Sequence, residues 1–353
     1  MKIAIIAITA NGARLGARLK GGLSGAELYV AHNYAGAAGA GATSFDGSLR
    51  ELLKELWPEF EGFVCIMATG IVVRLVAPLL KAKDRDPAVV VMDEAGRFAI
   101  SLLSGHLGGA NDLAARCAKV TGAREVITTA TDVNELPSFD TLARDQGWII
   151  DDLSQVKGLN ALLLAGEKIA VVDPSRRVQA TFAGRGKLSF HHTFVAALES
   201  NATGFVFVTN RDLPPQVRAE KLLLLRPRNL TLGIGCNSGT TVEEIEAVVK
   251  SQLKRLFLSL RSVAAIGSAE AKVKEPGLLA FAANCGVELR CFASAELNGV
   301  KVPSPPSHHA LDAIGAAGVA EPSALLAAGA GSRLLLKKVK SGNVTLAVAE
   351  IAC

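Results

Sequence analysis

Ser101-Leu102-Leu103-Ser104-Gly105-His106-Leu107-Gly108-Gly109-Ala110-Asn111 is the stretch from which the fold can be read. An apolar run from Phe98 to Leu103 leads into it, and a helical pattern from Asp112 to Val120 leads out. Between them three glycines surround one histidine. Glycine permits sharp turns and close backbone approach, and a helix start presents unpaired N–H groups that suit anions. The stretch therefore reads as strand, glycine-rich turn with an ionisable side chain, and helix. The same pattern also describes a plain strand-to-helix connection whose histidine bonds locally.

Moving outward, the pattern repeats. Ile3–Ile8 and Phe63–Ala68 are continuous apolar runs of the kind buried on both faces of a parallel sheet. The first feeds a basic helix, 11–20, and the second ends in Thr69-Gly70 before a helix over 71–80 with Arg74 in its first turn. Ser48 is a helix N-cap, with Glu51 completing a capping box and Pro58 ending that helix. Ala88–Met92 and Arg97–Leu103 flank the polar turn Asp93-Glu94-Ala95-Gly96, which predicts a hairpin. Glu125–Thr129 is a further strand, followed by Thr131, Asp132 and Asn134. Alternating strands and helices give an open α/β sheet, whose ligands bind outside the carboxyl ends of strands. Thr69-Gly70, Ser104–Asn111 and Thr129–Asn134 are expected to share such an edge.

The chain divides into residues 1–137, an N-terminal α/β domain; 138–228, a small irregular α/β middle region; and 229–353, a C-terminal three-layer α/β domain. Pro214-Pro215 and Arg226-Pro227-Arg228-Asn229 read as linkers. The last part opens with a strand and the glycine-rich turn Gly233–Gly239, then a helix announced by Thr240, Thr241, Glu243 and Glu244. It closes with a hairpin about Lys340–Asn343.

With 353 residues, 50% hydrophobic and only 5% aromatic, the chain suits close-packed α/β layers. Lys and Arg number 38 against 33 Asp and Glu, a mild positive balance that fits an anionic small substrate and is too scattered for nucleic acid. Six cysteines occur without a Cys-x-x-Cys pair, which argues against a zinc ribbon or thioredoxin motif, and several sit in apolar runs as core residues. No run of ~18 apolar residues suggests a membrane span, and the short apolar start lacks a cleavage pattern. The expectation is a cytoplasmic protein.

Three constellations could carry chemistry. Gly233-x-Gly235 followed by Gly239 is one residue too long for a dinucleotide fingerprint, and no Gly-Lys-Ser/Thr exists for a P-loop. The pairs His191-His192 and His308-His309 cannot put both rings on one face of a regular element, and no spaced partners accompany them, so no protein-built metal site is expected. The third is Thr69, Arg74, Ser104, His106, Asn111, Asp132 and Asn134: a cation, an imidazole, amides and hydroxyls that suit a carboxylated ligand and proton transfer near neutrality. Thr69, Ser104 and Asp132 are equally ordinary turn and cap residues.

Met67–Arg74, Asp86–Asp93, Ser101–Asn111 and Val126–Asn134 resemble the CbiG family of cobalt-precorrin-5A hydrolases. So do Gly233–Cys236, Glu275–Leu278, Phe292–Asn298, Pro303-Ser304 and Val344–Ala349 in the last domain. The resemblance implies anaerobic cobalamin (vitamin B12) biosynthesis. Its substrate would be a cobalt-bearing polycarboxylate tetrapyrrole whose δ-lactone is opened by water with loss of acetaldehyde, contracting the macrocycle and giving cobalt-precorrin-5B. The cobalt would arrive with the substrate, and no separate cofactor is expected. The partner would be that small molecule, with neither nucleic acid nor membrane; a homodimer or transient contact with other pathway enzymes stays open.

Residue chemistry then assigns the parts. His106 is the candidate acid/base and Asp132 the second candidate. Amides around Gly105, Gly108 and Gly109 are candidate oxyanion or carboxylate donors. Arg74 can grip a substrate carboxylate bidentately, and Thr69, Gly70, Ser104, Asn111, Thr131 and Asn134 complete the expected binding set. The alternatives are a non-catalytic tetrapyrrole carrier, separable by the reaction rate with and without protein, and a nucleotide-dependent enzyme using the Gly233 loop.

Overall fold

The computed structural model describes residues 1–82, 85–214, 217 and 219–352. Pro215 of the expected linker and Cys353 of the six cysteines lie outside the described residues. The chain forms two compact units, residues 1–141 and residues 142 onward.

The first unit holds a seven-stranded sheet: β1 (Ile3–Ala7), β2 (Ala26–Ala31), β3 (Thr43–Phe45), β4 (Gly62–Ile66), β5 (Ala88–Met92), β6 (Phe98–Leu103) and β7 (Arg124–Val126), in the order β3-β2-β1-β4-β5-β6-β7. Every residue of β1, β4 and β5 is buried, as an uninterrupted apolar run on a sheet covered on both faces requires. Successive side chains alternate between two cores. Ile3 and Ile5 face helices Ala10–Gly22 and Ala110–Thr121, while Ala4 and Ile6 face helices Leu49–Leu56 and Thr69–Val76. The strands from β3 to β5 run parallel, β6 runs antiparallel to β5, and β7 is parallel to β6.

The second unit carries two five-stranded sheets. One comprises β8 (Ile149–Ile150), β9 (Ile169–Val172), β10 (Leu188–Phe190), β11 (Gly204–Val208) and β12 (Leu222–Arg226), in the order β10-β9-β11-β12-β8. The other comprises β13 (Leu230–Cys236), β14 (Val263–Ala269), β15 (Glu288–Phe292), β16 (Arg333–Ser341) and β17 (Val344–Glu350), in the order β15-β14-β13-β17-β16. Asp151 links the segments that lead into them, since it accepts from both Arg226 and Arg261. The buried Arg226 guanidinium donates from Nε to Asp151 Oδ2 at 2.8 Å, and Arg261 Nη1 donates to the Asp151 carbonyl at 2.9 Å.

The last sheet is the middle of three layers. Helices Val242–Arg255 and Pro276–Cys285 cover one face, and helix Ala320–Ala328 the other. Two glycines fix the second spacing. A Cβ on Gly233 would overlap the Ala320 carbonyl, and one on Gly267 the Ser323 carbonyl. The glycine pattern of this segment therefore serves helix-to-sheet contact. His308 and His309, expected in a loop, open the short helix His308–Ile314, whose N-cap Ser307 accepts from the Ala310 amide. Among the described residues no helix is long and apolar enough to cross a membrane, and no group of His, Cys, Asp and Glu is arranged to hold a metal ion.

Candidate active site

The site follows from one reversal of chain direction. Asp93 builds the predicted turn between β5 and β6, its carboxylate accepting from the amides of Ala95, Arg97 and Phe98 at 3.0, 2.9 and 2.9 Å. The pairing then sets Met92 against Ala99 and Val89 near Leu103. Ile66, at the end of β4, pairs with Met92. Ser104 thus leaves the sheet beside the amino end of β5, whereas Thr69 follows the carboxyl end of β4. The expectation of one shared edge is corrected: Thr69, Gly70 and Arg74 stand at the opposite end from His106, at least three strand residues or about 10 Å along the sheet. Arg74 is exposed and donates to its own helix, to the Gly70 carbonyl at 3.0 Å.

The loop after β6 closes on itself. The Gly109 amide donates to the His106 carbonyl at 3.0 Å, and the Ala110 and Asn111 amides donate to the Ser104 and Gly105 carbonyls at 3.1 Å each. Three of the orphan donors at the start of helix Ala110–Thr121 are met by the loop that precedes it. The amides of Gly109, Ala110 and Asn111 are thus already engaged within the loop. Gly108 is required by contact, since a Cβ there would overlap Ser104 Cβ and lie 2.8 Å from its carbonyl oxygen. Ser104 itself adopts φ +58°, and its buried hydroxyl has no hydrogen-bond partner. Left-handed backbone at a non-glycine residue stores on the order of 1–3 kcal/mol. Ser104 turns the chain here, with its hydroxyl buried.

This turn delivers His106 into a nest of acids. Its Nε2 lies 2.8 Å from Asp132 Oδ2, and its Nδ1 lies 3.3 Å from Asp140 Oδ2. Thr131 Oγ1 is 3.1 Å from Nε2, and Ser138 Oγ is 3.5 Å from Nδ1. Side-chain exposure is 14% for His106, 39% for Asp132 and 8% for Asp140, so only Asp132 opens substantially to solvent. Burial by itself pushes the imidazole pKa down. The hydrogen bonds and charges of Asp140 and Asp132 together outweigh it, and the net shift is upward. A protonated ring donates to both carboxylates; a neutral one could serve only one.

Asn111 braces the acid side. It is buried, accepts from Ser101 Oγ at 2.7 Å, and donates from Nδ2 to Asp132 Oδ2 at 3.1 Å and Thr129 Oγ1 at 3.3 Å. A Cβ on Gly105 would sit 2.8 Å from Asn111 Oδ1, so that glycine makes room for the brace. Of the expected set, His106, Asp132, Thr131, Asn111 and the loop glycines come together. Asn111 and Thr131 are buried and brace the centre from within. Asn134 turns away, its amide donating to the Ala130 carbonyl at 2.8 Å. Sequence reasoning missed Asp140 and Ser138. Ser138-Phe139-Asp140 carries the signal of a helix start, a cap followed by an acid, which points to ordinary capping.

Two further features frame this centre. A cleft of about 410 Å³ lies outside the carboxyl ends of β1 and β4, lined by Thr9, Met67, Thr69, Ile71, Asp93 and Phe98. That is where the strand order reverses, the usual place for a crevice in an open sheet. It is mostly apolar and acidic, and it lies at the other end of the sheet from His106. In the second unit, the turn after β13 is filled by the chain itself: Glu275 Oε1 accepts from the Gly239 amide at 2.7 Å, and Oε2 pairs with Lys272 Nζ at 3.0 Å.

Comparison with known proteins agrees across the chain. Residues 51–132, 137–227 and 230–349 match the family profiles described as cobalamin synthesis G N-terminal, cobalamin biosynthesis central region and cobalamin synthesis G C-terminus. A cobalt-precorrin-5A hydrolase of Priestia megaterium is 39% identical over 87% of this chain and 83% of its own length. The enzyme of the same name from Salmonella typhimurium is 32% identical over 87% of this chain and 86% of its own. A solved cobalamin biosynthesis protein G homologue from Sulfolobus solfataricus covers 99% of this chain and 97% of its own at 23% identity, with a TM-score of 0.37.

Proposed function

The chain belongs to the cobalamin synthesis G family, and we propose that it hydrolyses cobalt-precorrin-5A at the imidazole–carboxylate centre of its N-terminal unit. Hydrolase names on relatives that span most of the chain favour an enzyme over a passive carrier. The observation that carries the location is His106 held between Asp132 and Asp140, with Asp132 open to solvent.

The chemistry divides between two groups. Both bonds to Asp132 fall on Oδ2, which leaves Oδ1 to take a proton from water as its oxygen adds to the lactone carbonyl. The His106 imidazolium gives its Nε2 proton to the departing ring oxygen, and the lactone becomes a carboxylic acid and an alcohol. In the second step neutral His106 takes the alcohol proton. The carbonyl of acetaldehyde forms as the carbon–carbon bond breaks, the electron pair passes to the macrocycle, and protonated Asp132 returns a proton there. One water is consumed, and both residues regain their starting states. The cobalt is part of the substrate, and these steps draw on no separate cofactor.

The test is acetaldehyde release by His106→Ala with tetrapyrrole binding followed in parallel. Loss of release with binding retained supports the centre. Release at the rate of the unaltered protein would move the chemistry elsewhere, first to the cleft beside Thr69.

A further inference from the structure

We propose that Asp140 is the positioning residue of this centre: a buried carboxylate that grips Nδ1 of His106 and so directs Nε2 toward Asp132 and the reacting atoms. The inference rests on the reading above that His106 moves protons. It adds a residue which no sequence pattern marks and whose spacing from His106 in the chain gives no hint of contact.

The geometry separates the two acids. Asp132 is 39% exposed and can meet a ligand; Asp140 is 8% exposed and reaches one only through the imidazole. Asp140 sits in the first turn of helix Phe139–Asp145, just after Ser138, whose hydroxyl donates to Thr141 Oγ1 at 2.8 Å and lies 3.5 Å from Nδ1. The ring is therefore held from two segments, 138–140 at Nδ1 and 131–132 at Nε2. Its facing groups are the carboxylates of Asp132 and Asp140 and the hydroxyls of Thr131 and Ser138.

An imidazole has two nitrogens, and what one of them bonds decides what the other can do. A carboxylate at Nδ1 keeps a proton there in both charge states. Nε2 is then the atom that loses and regains a proton during turnover. Without Asp140, the neutral ring can place its single proton on Nε2 toward Asp132 and leave Nδ1 bare, which is the wrong tautomer for taking the alcohol proton.

The experiment uses the full chain with Asp140→Asn. Acetaldehyde release is measured across pH, and His106 titration is followed by its ring carbon–proton NMR signals. The expected result is a kcat loss on the order of 100-fold with KM little changed. The His106 titration midpoint and the alkaline limb of the kcat profile should move together to lower pH. A purely structural role would lower melting temperature or active fraction and leave the midpoint and profile in place; that result overturns the proposal. If Asp140→Asn fails to fold, Asp140→Glu keeps the charge on a longer arm. It should hold the midpoint high while kcat falls, and unchanged kcat in that variant also overturns the proposal. Failure of the underlying reading looks different: His106→Ala would stay active, while the NMR titration would still report whether Asp140 holds the ring.

Discussion

Two glycine-rich turns lie between a strand and a helix in this chain, and they have opposite fates. After β6, the loop's own carbonyls meet the helix amides, and the turn projects a histidine toward two acids. After β13, the Glu275 carboxylate takes the Gly239 amide and pairs with Lys272. The sequence pattern is nearly the same. What fills the turn decides whether it can do chemistry. One turn leaves a carboxylate open beside an imidazole whose pKa is raised; the other buries its carboxylate in a closed ion pair.

The sharpest way to break this contrast is to remove one acid from each turn. Asp132→Asn should lower acetaldehyde release by about 100- to 10,000-fold with little change in unfolding midpoint. Retained release would make the two turns alike. Glu275→Ala should do the reverse. It removes the acceptor of the Gly239 amide and the ion-pair partner of Lys272, which keeps its bond to Ser238 Oγ, at a cost of about 1 kcal/mol in denaturant titration, while kcat holds; a fall in kcat with unchanged stability would show that the second turn works too.

Gly108→Ala tests the packing of the first turn. Ser104 cannot yield to a new methyl without shifting backbone, so about 1–3 kcal/mol of stability should be lost in chemical denaturation. A neutral outcome would show that the loop relaxes freely. The charge state gives a smaller effect with a definite sign. Because the folded state raises the His106 pKa, the centre's stabilisation is fully present below the unfolded value of about 6.5 and declines as pH rises through the folded value. Unfolding midpoints of His106→Gln, compared with the unaltered chain from pH 6 to 9, should lack this decline; parallel curves would contradict it. Smallest of all is Arg74→Ala. An exposed side chain bonded within its own helix at the far end of the sheet should alter kcat and KM by no more than about twofold. A large loss would bring the cleft at β1 and β4 into the reaction.

Much of this was readable before the structure. The buried strands announce themselves as apolar runs, and Asp93–Gly96 announces a hairpin. The error lay one step later. A hairpin reverses direction, so Ser104 had to emerge at the end opposite Thr69, and the two could not share an edge. Asp140 was not readable, because a serine and an acid at a helix start are capping residues wherever they occur. Contact between residues 106 and 140 is a product of tertiary folding. The raised pKa of His106 is hidden for the same reason, since neither acid is its neighbour in sequence.

Gly233 and Gly267 carry a last consequence, for which parts of the molecule can vary. Both obstacles to a side chain there are backbone carbonyls, which no rotamer change can move aside. Across the sheet, helices Val242–Arg255 and Pro276–Cys285 meet Leu230, Leu232 and Ile234 through side chains, which can exchange volume with one another. The last sheet thus has a negotiable face and a fixed one. Substitutions should accumulate on the first, while the second admits almost nothing at these two positions.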